Sequence, residues 1–151
     1  MKIKLAKSEV IHFIGIGGIG MSGLALVMSR MGFKVQGSDI NQNKNIERLK
    51  RNNIKIFVGH DKKNIQNSTI IVISSAVKKN NTEVISAKDK NLPIYKRGDM
   101  LGHITSLTKN IVVVGSHGKT TTTALVASIL SFSNLDPTII NGGVLKSSNN
   151  S

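Results

Sequence analysis

Short apolar runs alternate with longer amphipathic stretches along this chain, and that alternation predicts a parallel α/β sheet. Residues 10–16 read as a buried strand. A helix over 19–31 follows, with Ile19, Leu24, Val27, Met28 and Met31 at helical spacing. Gly32 lies just past it, where a left-handed residue ends a helix. Further strands are predicted at 34–38 (ending at Asp39), 54–58, 70–73 and 93–95, with helices over 45–52, 82–90 and 97–107. Ile70-Ile71-Val72-Ile73 is the most apolar run and reads as a central strand; Thr82 is the expected N-cap of the helix it opens.

The polar stretch 106–110 marks a boundary between residues 1–108 and 109–151. Beyond it the same grammar restarts, with a strand at 111–114, a helix over Lys119–Phe132 and a short strand at 138–140. The tail 146–151 is polar and expected to fray.

Composition narrows the reading. A length of 151 residues holds one domain of ordinary size and part of another. With 39% hydrophobic residues but only 3% aromatics and no Trp, the core has to be aliphatic. The absence of cysteine removes disulfides, thiolate catalysis and Cys-ligated zinc. No run reaches the ~20 apolar residues of a membrane helix, and the first residues lack a signal-peptide core, so a cytoplasmic location is expected. The net charge of +13 comes from dispersed lysines without interleaved aromatics, which fits solvated helix faces better than a nucleic-acid surface.

Two glycine-rich turns carry the chemistry. Gly15-Ile16-Gly17-Gly18-Ile19-Gly20 follows the first strand and opens a helix, with Asp39 at the end of the second strand about twenty residues on. That geometry aims backbone N–H groups and the positive end of a helix at an anion. It predicts nucleotide binding, with the acid near a ribose, without naming the base. The second turn, Gly115-Ser116-His117-Gly118-Lys119-Thr120-Thr121, ends as a P-loop does. Lys119 is placed to meet β- and γ-phosphates and Thr120 to ligate Mg²⁺. Val113 stands where the strict pattern has its first glycine, and Gly115 supplies one two residues later, so the loop is short.

The run Ile11-His12-Phe13-Ile14-Gly15-Ile16-Gly17-Gly18-Ile19-Gly20-Met21-Ser22-Gly23-Leu24-Ala25 resembles the opening of the Mur ligases that add L-alanine to UDP-N-acetylmuramate. Gly115 to Thr123 resembles that family's ATP loop, with Ser116 where Thr is usual. Gly37-Ser38-Asp39, Gly59-His60, Ser74-Ser75-Ala76-Val77, Arg97-Gly98-Asp99-Met100-Leu101 and Asn141-Gly142-Gly143 occur in family order. Asp99 stands where glutamate is more usual and receives no role.

The resemblance implies a Rossmann-like domain binding UDP-N-acetylmuramate rather than NAD, followed by the start of an ATP-binding domain. It implies that Gly17, Gly18, Ile19 and Gly20 hold the diphosphate and that Ser38 and Asp39 lie near the uridine. His60, Ser74 and Ser75 line the same crevice, with a loop histidine capping the next short helix as the other reading of His60. His12, on a buried strand, is read as structural. Gly115, Ser116, His117, Gly118, Lys119, Thr120 and Thr121 are implied to hold ATP, His117 through its backbone, with Lys119 the candidate catalytic residue and Thr120 the candidate ligand of Mg²⁺.

The implied reaction is ATP-dependent amide formation through an acyl phosphate, part of peptidoglycan biosynthesis. In that family the acidic metal ligand and the alanine acceptor site come later in the chain, so these residues alone are expected to be inactive. Three other readings stand beside it. An NAD-binding oxidoreductase module leaves the second loop without a role. A ligase attaching a whole peptide to the same muramate usually has an interrupted first loop, and a fragment that binds nucleotide without catalysis is the third.

Overall fold

The computed structural model describes residues 5–141 and 144–147; Gly142-Gly143 of the Asn-Gly-Gly motif and the end of the polar tail, 148–151, lie outside the described residues, as do 1–4. Five strands, β1 (Val10–Ile14), β2 (Lys34–Asp39), β3 (Lys55–Val58), β4 (Ile70–Ile73) and β5 (Ile94–Lys96), form one sheet in the order β3-β2-β1-β4-β5. Every pairing in it is parallel. Between and after the strands run α1 (Ile19–Arg30), α2 (Lys44–Arg51), α3 (Thr82–Asp89) and α4 (Arg97–Ser106). The chain steps outward from β1 to β3 and then returns to β4, so the order reverses between β1 and β4. In open parallel sheets that reversal leaves a crevice beyond the carboxyl ends of the strands.

Side-chain alternation along β1 sorts the core into two layers. Ile11 and Phe13 pack with Met21, Leu24 and Met28 of α1 and Met100 and Ile104 of α4. Ile14 joins Ile65, Ile71, Val84 and Ala87 on the opposite face, towards α3. His12 shares that second face by the same period and is fully buried. The strands are close enough at β1–β2 that a Cβ on Gly37 would lie 2.6 Å from both the Phe13 carbonyl oxygen and Ile16 Cδ1.

Helices α1, α2 and α3 end by one device. At α1, Phe33 N–H donates to Met28 O and Gly32 N–H to Ser29 O, with Gly32 at φ 85°. The same paired bonds close α2 around Asn53 (φ 58°) and α3 around Asn91 (φ 52°). Each satisfies carbonyls that a helix end leaves orphaned, and each is followed by an apolar residue, Phe33, Ile54 or Leu92, that leads into the next strand.

The second unit contains α5 (Lys119–Phe132), which ends likewise at Asn134 (φ 57°). An antiparallel hairpin of β6 (Thr138–Asn141) and β7 (Val144–Ser147) follows. Lys146 and Ser147, expected in a frayed tail, therefore belong to a strand.

Other boundaries differ with identifiable causes. β1 stops at Ile14, not Ile16, because Gly15 turns at φ 79° and both Gly15 and Ile16 donate to the Ser38 carbonyl. The expected strand over 111–114 is not formed: Ile111, Val112 and Val114 are exposed, and among the described residues no strand pairs with them. Apolar character marks a segment for burial, but a strand exists only with a hydrogen-bonding neighbour. Asn81, not Thr82, caps α3, its side chain accepting from Glu83 N and Val84 N, while the Thr82 hydroxyl donates to His60 O. A single 3-10 turn over Lys62–Ile65, which periodicity did not predict, is capped by Asp61. Among the described residues no helix is long and apolar enough to cross a membrane.

Candidate functional site

The crevice at the β1/β4 reversal is a cavity of about 490 Å³ lined by Gly15, Gly17 and Gly18 of the first glycine turn, Asp39 at the end of β2 and Asn41 beyond it, His60 after β3, Ser74 after β4, and Asn80 and Asn81 before α3. Each strand delivers its residue because all run parallel and end on the same side.

Within the glycine turn the backbone groups are already sorted. The Gly17 N–H donates to Asp39 Oδ2 at 2.8 Å, and the Gly17 carbonyl accepts from Asn43 Nδ2 at 3.2 Å and Asn45 Nδ2 at 2.8 Å. Gly17 is buried and serves to anchor the loop. The N–H groups of the first turn of α1, at Ile19, Gly20 and Met21, have no acceptor inside the helix, as at any helix start, and are the donors left for an anion. Ile19 is exposed, and Gly20 is half-buried with the Arg97 side chain across it, 3.1 Å from where a Cβ would be.

Asp39 thus lines the cavity as expected, but its carboxylate is committed to the loop and to Asn41 N–H at 3.0 Å. Ser38 is fully buried and does not line the cavity; its carbonyl anchors Gly15 and Ile16, and its hydroxyl donates to Glu83 Oε2 at 2.5 Å. His60 and Ser74 line the cavity, whereas Ser75 is exposed and does not. The 3-10 turn after His60 is capped by Asp61, so the His60 ring is not a helix cap.

Below the crevice lies a polar cluster built around Glu83 of α3, which is fully buried. Its Oε2 accepts from Ser38 and from His60 Nδ1 at 3.0 Å, and its Oε1 accepts from Asn64 Nδ2 at 2.6 Å. His12 Nε2 stands 3.7 Å from Oε2, too far for a hydrogen bond but near enough for electrostatic attraction. Burial by itself raises the Glu83 pKa, yet His12 and the hydrogen bonds from Ser38 and Asn64 outweigh it and hold the carboxyl below its usual value. No pattern in the sequence distinguishes Glu83 from a solvated helix acid. Asn41, Asn43, Asn80 and Asn81 were missed as well, although clusters of Asn after strand ends are themselves a turn signal.

At the second turn, Gly115 (φ 157°) and Gly118 (φ 74°) hold the backbone where other residues are strained, and α5 begins at Lys119. Lys119 Nζ folds back to the carbonyls of Gly115 at 2.6 Å and Ser116 at 3.1 Å. Ser116, His117, Thr120 and Thr121 are exposed around it. A Cβ at Gly118 would meet nothing within 4 Å, so the loop is open on that side. Among the described residues no group of three or more His, Cys, Asp or Glu could hold a metal.

The family model described as "Mur ligase family, catalytic domain" matches residues 10–109. Among curated relatives, UDP-N-acetylmuramate–L-alanine ligase of Pelagibacter ubique is 72% identical over 151 residues, all of this chain and 32% of the relative. The protein of the same name from Methylorubrum populi is 51% identical over 135 residues, 89% of this chain and 29% of the relative. Among solved structures, UDP-N-acetylmuramate–alanine ligase of Thermotoga maritima matches with a TM-score of 0.79 at 36% identity, covering 87% of this chain and 31% of that one. UDP-N-acetylmuramate:L-alanyl-γ-D-glutamyl-meso-diaminopimelate ligase of Neisseria meningitides also gives 0.79, at 30% identity, over 90% of this chain and 43% of that one. The chain spans about a third of the length of the curated relatives it matches.

Proposed function

This chain belongs to the Mur ligase family, and from that membership we propose that it forms the substrate-gripping part of a ligase joining L-alanine to UDP-N-acetylmuramate. The observation that carries the reading is the coexistence of two unlike glycine-rich turns at helix starts, one beside the crevice at α1 and one bearing a lysine at α5. An oxidoreductase module has no use for the second. A peptide-adding ligase shares the fold, but the intact first loop and the names of the curated relatives favour alanine.

In this reading residues 1–108 bind the UDP-sugar and 109–151 begin the ATP-binding domain. That division is supported by the sheet closing with α4 at Ser106 before the second turn begins. Ile19 and Gly20 offer N–H groups to the diphosphate while Gly17, Asp39 and Ser38 hold the loop in shape. The uridine lies towards Asp39 and His60, with Ser74 on the opposite wall.

Lys119 swings from its loop carbonyls to the β- and γ-phosphates of ATP, exchanging two neutral acceptors for charged ones. The donor set fits ATP: an ammonium, open backbone of a left-handed Gly118 and the positive end of α5 converge on one turn. For Mg²⁺ the fit is one hydroxyl, that of Thr120, which would join phosphate oxygens and waters as ligands. The ion, when bound, neutralises charge between the β- and γ-phosphates.

In the complete ligase the lactyl carboxylate attacks the γ-phosphorus and ADP leaves. The alanine amine then adds to the acyl phosphate carbonyl and phosphate departs, with a proton lost from nitrogen. This chain contributes alignment and charge neutralisation to the first of those displacements. Calorimetric titration of the folded chain with UDP-N-acetylmuramate and, separately, with ATP and Mg²⁺ tests the proposal. Heat of binding in both is expected; none in either, from a folded protein, sinks it.

A further inference from the structure

Glu83 belongs to neither glycine turn, yet a fully buried carboxylate is costly to keep. As a carboxylate it can only accept, so each partner must bring a hydrogen. Ser38 spends its hydroxyl hydrogen on Oε2, which leaves the Ser38 oxygen, 3.1 Å from His60 Nδ1, as an acceptor too. Facing two acceptors, Oε2 and Ser38 Oγ, the His60 Nδ1 atom must carry a proton. The carboxylate therefore dictates the tautomer of His60. Of the two histidines beside Glu83, only His60 reaches the cavity wall, its side chain 18% exposed. With Nδ1 engaged below, Nε2 is the polar atom the ring has left for a ligand.

We propose that Glu83 is a positioning residue that holds His60 in the Nδ1–H form, so that Nε2 accepts the imide N–H of a uracil base in the crevice. Cytosine presents a lone pair at that ring position and would meet the lone pair of Nε2. The crevice thereby selects UDP over CDP. This rests on the reading of the crevice as a UDP-sugar site, and it adds a base-selecting pair, Glu83 and His60, to it.

The test uses the whole chain, with UDP and CDP as probes and the nitrogen shifts of the His60 ring as a structural readout. Wild type is expected to show a protonated Nδ1 and a bare Nε2, and to prefer UDP. His60→Ala and Glu83→Gln should each reduce the UDP-over-CDP ratio about tenfold, the cost of one lost discriminating hydrogen bond. The double variant should lose no more than either alone, because both act through one contact.

A merely structural Glu83 predicts equal loss for both nucleotides and additive single effects, which overturns the inference. So does an Nε2–H ring in the wild type. Should Glu83→Gln not fold, the wild-type ring spectrum and the His60→Ala ratio decide between the same outcomes. If wild type binds UDP but His60→Ala keeps its preference, only this inference falls. If wild type binds no UDP, the functional reading falls and takes this with it.

Discussion

Asp39 accepts the amide hydrogen of Gly17 at 2.8 Å, so the acid that fingerprint reasoning assigns to a ribose is also the clasp of the glycine loop. Replacing Asp39 with Ala strips acceptors from two backbone N–H groups, those of Gly17 and Asn41. The variant is expected to lose about 1–3 kcal/mol of stability and to bind UDP more weakly. Urea denaturation and calorimetry of the same preparation check both.

Gly37 is a packing requirement of β1 against β2. A methyl group there meets the Phe13 carbonyl, which the sheet holds in place, at 2.6 Å. Gly37→Ala should cost about 1–3 kcal/mol, read as a lower urea midpoint with an unchanged slope.

Asn53 occupies the left-handed position after α2. Asn53→Gly should be close to neutral, whereas Asn53→Val should destabilise by about 1–2 kcal/mol, since a β-branched side chain resists that backbone. Thermal melts of the pair give the comparison.

Glu83 titrates below its ordinary value in the folded protein, so the unfolded chain binds its proton first as pH falls. Its contribution to stability is complete above about pH 4.5 and drains away as pH drops through the folded value. Urea midpoints measured from pH 6 to pH 3 (about the range in which carboxylates titrate) should fall less steeply in Glu83→Gln than in wild type.

Lys119→Ala removes the only charged side chain in the turn Gly115 to Thr121. ATP affinity should drop by roughly tenfold or more, in keeping with a charge-assisted bond, while UDP affinity is unchanged. Parallel titrations with the two nucleotides check it; equal loss for both would remove Lys119 from the ATP loop.

Strong local signals were legible along the chain. The strands that form the five-stranded sheet, the helices between them and the start of α5 all sit where apolar period and glycine placed them, within a few residues. Asn53, Asn91 and Asn134 carry the same stop signal as Gly32, and only the glycine was read. The segment 111–114 shows the opposite failure, for its apolar residues announce a strand that needs a neighbour to exist.

Glycine spacing, apolar period and the lysine before a run of threonines are encoded within a few consecutive residues, so they announce the two glycine-rich turns and the parallel α/β plan without help. Which partners Ser38, Asp39, His60 and Glu83 bond to was decided by distance in space. Their positions span 38 to 83, and they meet because parallel strands end side by side and α3 packs beneath them. Packing turned Ser38 away from the crevice, tied Asp39 to Gly17 and buried an acid that looks like any surface glutamate. A buried polar group must find its partners inside the protein, and which partners are within reach is a property of the packed chain.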